Sequence, residues 1–215
     1  MSTNNSQSGG ERPQNRLEQR IVIEPDGTIV VRSGKIEYGQ GIRTGFAKIV
    51  VEELAVPLEK VRVELGETDR VPWDIGTFGS MSTAVDGKIV RDAAACARKI
   101  LLKRASIRLG IPESDLSIAD GKVLARHGQS IAYQELVASE PLTGIILEGE
   151  TTNRPASPPE DVPFRLEAMA VVTGKACYSG DVRLPGMLWG QVLHPPIQGS
   201  DVALSLIHIS EPTRH

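Results

Sequence analysis

The chain has 215 residues, 40% of them hydrophobic and 24% charged, with a net charge of −3 at pH 7; this size and balance suit one or two globular domains. That charge gives none of the basic field by which proteins hold nucleic acid or anionic membrane surfaces, so those partners are set aside. No apolar run approaches the roughly 18 residues of a membrane helix and residues 1–20 lack a signal-peptide core, so the cytoplasm is the expected compartment.

Residues 1–19 are Ser, Asn, Gln, Gly and charge with few apolar side chains, and burial there cannot repay the entropy of ordering, so a disordered arm is expected. Two β-branched runs at 20–23 and 28–32 flank Asp26-Gly27, a strong hairpin signal. Between 42 and 54 the apolar residues Ile42, Phe46, Ile49, Val50 and Leu54 fall at helical spacing, and 61–65 alternates as a half-buried strand. Residues 66–79 hold Asp69, Pro72, Trp73, Asp74 and three glycines without periodicity, a length of irregular chain that inside a domain is usually functional. The longest helical pattern runs from 84 to 109, with Ser82 or Thr83 placed to cap it, Asp86-Gly87 placed to bend its start and Gly110 placed to end it. Short strands at 116–118 and 122–125 around Asp120-Gly121, then a helical turn at 133–138, close an α+β domain of mixed sheet and helices over 20–140. Residues 141–164, with four prolines between 151 and 163, read as a linker. Strands are expected at 170–176 and 188–193, as the start of a β-rich segment over 165–203. Residues 204–215 break the pattern and resemble the translation of a sequencing-adapter read-through, so a non-native tail on a fragment is expected.

The chain is organised around two loops of the same kind. Residues 35–45 (Lys35 to Gly45) and 76–86 (Gly76 to Asp86) each set glycines and hydroxyl or amide side chains before a helix. Glycine permits positive φ and close approach, and a helix start presents unpaired N–H groups suited to an anion. Two such mouths could grip one extended anionic cofactor. Glu37, Asp69 and Asp74 could be taken for an acid/base set, but loop carboxylates are commonly just solvated. Cys96 and Cys177 stand far apart with no CxxC and no Cys/His cluster, so neither zinc nor an iron–sulfur cluster is expected in this chain and both thiols are expected to be buried.

Three segments together carry a family resemblance: Glu37-Tyr38-Gly39-Gln40-Gly41-Ile42-Arg43-Thr44, Ser80-Met81-Ser82-Thr83, and the run from Val172 to Gly190 containing Gly174-Lys175-Ala176 and Pro185-Gly186. The chain resembles the N-terminal part of a molybdopterin-binding subunit of the xanthine dehydrogenase/aldehyde oxidase family, in the isoquinoline 1-oxidoreductase or nicotinate dehydrogenase style, over about residues 20–200. The resemblance implies hydroxylation of an N-heterocycle or aldehyde with oxygen from water. Molybdopterin, in the cytosine dinucleotide form, is the implied cofactor, and [2Fe–2S] clusters on a small partner subunit, followed by a FAD or cytochrome subunit, are the implied electron route. It further implies that Gly39, Gln40, Gly41, Ser80, Met81, Ser82 and Thr83 contact the cofactor, that 165–203 opens a hammerhead domain, and that the base glutamate lies downstream, leaving no catalytic residue here. Such a fragment is expected to be inactive alone. The rival is a non-catalytic α+β interaction or small-ligand module; a nucleotide-binding enzyme is weaker, because neither GxGxxG nor GxxxxGK[ST] occurs.

Overall fold

A computed structural model describes residues 15–126, 128–149, 165–192, 194 and 197–200. The chain divides into two units after Lys175. In the first, helix α1 (Leu17–Arg20) leads into strand β1 (Ile21–Ile23), which pairs antiparallel with β2 (Ile29–Ser33). The turn between them is set by Asp26, whose carboxylate accepts from the Thr28 N–H and hydroxyl at 2.8 and 3.0 Å. Helix α2 (Ile42–Leu54) then crosses over to β3 (Val61–Leu65), parallel to β2. The hairpin, the helix and the strand expected from the sequence are all present.

Helix α3 (Gly87–Leu109) packs along α2. Its buried face carries Val90, Ala93, Ala94, Ala97, Leu101 and Ala105 at helical spacing, and the alanines let its backbone approach Phe46, Val50 and Leu54 of α2 closely. Gly110 ends it in the left-handed region at φ 68°, donating to Ser106 O. A second, antiparallel sheet follows: β4 (Leu116–Ala119), β5 (Lys122–Ala125) and β6 (Ser130–Ala132), leading into α4 (Tyr133–Val137). Strand β6 was not legible as a strand in three residues. The buried Tyr133 hydroxyl donates to Leu54 O at 2.8 Å, tying this sheet to the end of α2.

Several expectations need correction. Of the expected disordered arm, 1–19, the described residues 15–19 pack on the domain, Leu17 being fully buried and its N–H donating to Gly144 O; residues 1–14 lie outside the described residues. The expected linker, 141–164, packs on the core through Leu142 and Ile146 up to 149, and its proline-rich 150–164 lies outside the described residues, as does the tail at 204–215. The strand expected at 170–176 is instead a helical turn, α5 (Ala168–Val172), and 165–200 holds no strand among its described residues. A strand without a neighbour leaves its N–H and C=O groups unpaired, whereas a helical turn satisfies them locally; Val171 N–H and Thr173 N–H do so on Glu167 O and Met169 O. In the second unit, Arg183 lies 4.7 Å from the Trp189 ring centre, and Leu184, Leu188 and Trp189 are exposed. Cys96 is buried as expected, but Cys177 is exposed. No helix among the described residues is long and apolar enough to cross a membrane.

Candidate functional site

Two loops leave the top of the first sheet, and their bases are bolted together. The first, 34–41, follows β2; the second, 66–81, follows β3. Gly34 sits where a Cβ would lie 2.4 Å from Asp74 Cβ and 2.7 Å from Pro72 O, so only glycine lets the two backbones meet. The buried Lys35 then reaches across: its Nζ donates to Asp74 Oδ1 at 2.8 Å and to Gly76 O at 2.7 Å. Ile36 N–H adds a bond to Thr77 Oγ1 at 2.8 Å. Beneath this strut, Arg20 donates to both oxygens of Asp86 at 3.1 and 3.2 Å, and the Ser33 hydroxyl donates to the same carboxylate. Arg20 and Asp86 are almost wholly buried, so α1, the end of β2 and the start of α3 are pinned at one point.

The first loop is closed on itself. Gly39 and Gly41 take positive φ, 116° and 81°, which bends the chain around the Glu37 carboxylate. Glu37 Oε1 accepts from Gly39 N–H and Gly41 N–H, both at 2.9 Å, and Oε2 accepts from Arg43 N–H at 3.0 Å. Gly41 and Arg43 are among the open donors at the start of α2, where an anion would be expected to bind. Burial works to raise the Glu37 carboxyl, but the Arg43, Gly41 and Gly39 N–H bonds and the Arg165 charge outweigh it, and the group stays below the usual carboxylate range. From the other side Arg165 Nη2 donates to Gly39 O at 2.8 Å, while Leu166 N–H and Glu167 meet the Thr44 hydroxyl at 2.9 and 3.3 Å. The Gln40 side chain is folded onto its own loop, with Oε1 accepting from Tyr38 N–H and Nε2 donating to Ile36 O. Those two bonds are solvent-exposed.

The second loop is open. Ser80 takes φ 55°, and Ser82–Asp86 form one wide π turn, closed by Gly87 N–H donating to Ser82 O, before α3 continues. The expected helix start is thus present, but as a turn wider than an α turn and without a side-chain cap from Ser82 or Thr83. Ser80, Met81 and Thr83 are exposed and Ser82 is nearly buried. Among the described residues no side-chain hydrogen bond engages the Ser80, Ser82 or Thr83 hydroxyls, and no acidic residue occurs from Gly76 to Val85. Hydroxyls and helix-start N–H groups free of carboxylate suit a phosphate-bearing group. This donor set fits molybdopterin. The first loop, with Glu37 in its mouth, fits the cofactor only through the neutral Gln40 amide.

The candidate acid/base set does not assemble. Asp74 is consumed by Lys35 and by Gly76 N–H, Glu37 by three backbone donors, and Asp69 is exposed. Lys35, Asp86, Arg20 and Arg165 were missed from the sequence. The spacing Glu37-x-Gly39-x-Gly41 was a usable sign that a carboxylate could curl into its own glycine loop, but nothing local points from Arg165 to a carbonyl 126 positions away.

The model of the molybdopterin cofactor-binding domain matches residues 1–174. Over 89% of its length the chain is 35% identical to a nicotinate dehydrogenase subunit of Pseudomonas putida, of which it covers 17%. It is 29% identical, over 83% of its length, to the beta subunit of isoquinoline 1-oxidoreductase of Brevundimonas diminuta, covering 28% of that protein. The xanthine dehydrogenase molybdenum-binding subunit of Escherichia coli O157:H7 is 34% identical over 49% of the chain, which covers 14% of it. A solved structure, reconstituted CO dehydrogenase from Oligotropha carboxidovorans, shares 30% identity with a TM-score of 0.49 over 54% of this chain and 15% of that one. The chain thus spans less than a third of the length of these relatives. It belongs to the molybdopterin cofactor-binding domain family, as a portion of the kind found in the molybdopterin-binding subunits of xanthine dehydrogenase-type oxidoreductases.

Proposed function

We propose that the two loops form part of one cradle for molybdopterin, in which Ser80, Met81, Ser82 and Thr83 receive the phosphate-bearing portion and Gln40, between Gly39 and Gly41, exchanges its two exposed bonds within the loop to offer its side-chain amide to the same ligand. The observation that carries this reading is the acid-free, hydroxyl-rich turn from Gly76 to Thr83 opening α3, joined to the first loop by Lys35. The bound cofactor supplies the oxidation–reduction chemistry. What this chain contributes is position: the wide turn presents donors, Asp86 and Arg20 fix the turn to the sheet, and the Lys35 strut sets its spacing from Gln40.

In the whole subunit the reaction is hydroxylation of an N-heterocycle or aldehyde with oxygen from water, in the cytoplasm. Electrons leave to [2Fe–2S] clusters on a small partner subunit and on to a FAD or cytochrome subunit. The cofactor is the cytosine dinucleotide form, residues 165–203 open the hammerhead domain, and the base glutamate lies outside this chain, which alone is inactive. The relatives' designations as subunits support this division of labour.

The test is cofactor content. Whole subunit, co-expressed with its iron–sulfur partner, is expected to carry molybdenum and to release cytidine monophosphate on acid treatment. A folded Ser82→Ala/Thr83→Ala subunit is expected to lose most of both. Full cofactor content in that double variant would remove the phosphate role from this turn.

A further inference from the structure

The first loop has the shape of an anion site and already holds an anion. Glu37 is placed two residues before Gly39, so the positive φ at Gly39 and Gly41 folds the loop around its carboxylate. Both oxygens are used, Oε1 by two amides and Oε2 by a third. Arg165 grips Gly39 O from the opposite side, which holds the loop in this sense. A phosphate arriving here would meet a negative charge and none of the three amides free to donate. What the loop still exposes is Gln40, a neutral amide whose two bonds are solvent-exposed and can be exchanged for a ligand. The second loop differs where it opens α3: its Asp74 is held at the base by Lys35 and Gly76 N–H, and no acidic residue occurs from Gly76 to Val85.

We propose that Glu37 is a specificity-determining residue of the cradle: an internal carboxylate that fills the anion position at the start of α2, turns phosphate away from the first loop and leaves that loop to an uncharged, hydrogen-bonding part of the ligand. The inference rests on reading the two loops as one cradle. Glu37 thereby fixes which end of an elongated, one-end-anionic ligand faces which loop. A carboxylate serving only to cap α2 would hold the same three amides, so the distinction lies in how the loop treats anions.

Inorganic pyrophosphate titrated into the 215-residue chain, followed by amide-resolved NMR, makes that distinction without any loaded enzyme. In the wild-type chain the amides of Gly39, Gly41 and Arg43 are expected to stay unmoved. In Glu37→Ala the same three amides are expected to shift with saturation, pyrophosphate binding there at least about tenfold more tightly than in wild type, as a removed repulsive charge and three freed donors imply. Movement of these amides in the wild type overturns the proposal, and so does their silence in Glu37→Ala. Should Glu37→Ala not fold, Glu37→Gln keeps an acceptor for Gly39 and Gly41 but frees Arg43 N–H, and only Arg43 is then expected to respond; its silence counts against the proposal equally. The Ser80–Thr83 amides are read in the same spectra. Their failure to respond would sink the phosphate role of the second loop, while the role of Glu37 is still decided by the amides of the first.

Discussion

The two glycine loops look alike in the sequence and differ in the structure. Both set glycines and polar side chains before a helix, and both follow a strand of the same sheet. The first supplies its own anion, Glu37, which occupies the Gly39, Gly41 and Arg43 amides at the start of α2. The second keeps its carboxylates to the side, Asp74 on Lys35 and Gly76 N–H and Asp86 on Arg20, and its acid-free stretch from Gly76 to Val85 opens on hydroxyls at Ser80, Ser82 and Thr83 that no described side chain engages. A glycine loop before a helix therefore signals an anion site without saying whose anion fills it. The deciding feature is whether a carboxylate reaches the amides of the helix start itself, as Glu37 reaches Gly41 and Arg43, while Asp74 stops at Gly76.

The comparison breaks most completely at the shared foundation. Asp86→Ala leaves the buried Arg20 guanidinium without its carboxylate and the Ser33 hydroxyl without its acceptor. Removing one partner of a buried pair costs about 3–5 kcal/mol, so chemical denaturation is expected to show that loss. The π turn at Ser82–Asp86 should lose its amide-exchange protection with it. A change under about 1 kcal/mol would mean the pair is not the pin described.

Next in size is the strut. Lys35→Met keeps the length of the side chain but strips the mostly buried Asp74 of its counter-ion and Gly76 O of its donor. A loss of about 2–3 kcal/mol is expected. Because Lys35 joins the loops, amide exchange should accelerate in both at once, at Ile36 and at Gly76–Thr77. Acceleration confined to the first loop would show that the second is held independently.

How much of this was readable follows from the range of each interaction. The Asp26-Gly27 hairpin, α2 at Ile42–Leu54 and β3 at Val61–Leu65 are local in origin, set by turn chemistry and apolar spacing, and each formed where its residues implied. Leu17 was read as part of an arm because its value lies in the pocket it fills, and pockets are made by distant residues. The second sheet's third strand, Ser130–Ala132, is too short for alternation to register. The expected strand at 170–176 had the right residues, but β composition specifies a strand only where a neighbour is available to pair with it. Of the candidate site, Gln40 and Ser80–Thr83 were visible as motifs. Their supports, Lys35, Asp86 and Arg165, act across 39 to 126 positions and left no local mark.

Acid sharpens the contrast between the loops. The Glu37 carboxyl in the folded chain lies below its ordinary value, so its contribution is fully present above the unfolded value, about 4.3, and is lost as pH falls through the lower folded value. Glu37→Gln should therefore cost about 1 kcal/mol near pH 7, the usual worth of a helix-start cap. The gap between variant and wild type should narrow below about pH 4. A gap that stays constant down to acid unfolding would show that the charge contributes nothing.

The smallest expected effect tests the most distant support. Arg165 gives one hydrogen bond to Gly39 O, and its charge helps to hold the Glu37 carboxyl low. Its side chain is about one-third exposed, so solvent screens much of that field, and Arg165→Ala should cost only about 0.5 kcal/mol overall. The local consequence is more telling than the global one. With the guanidinium gone, Glu37 should titrate at a higher pH than in the wild type, because burial still raises the carboxyl while one of the opposing influences is lost. The amides of Gly39, Gly41 and Arg43 should then exchange faster, since the loop is held from one side only. Carbon-detected NMR of the Glu37 carboxyl in both chains measures the first, and hydrogen exchange the second. An unchanged Glu37 titration together with unchanged exchange would show that the loop is closed by its own carboxylate alone, and that residues 165–167 merely rest against it.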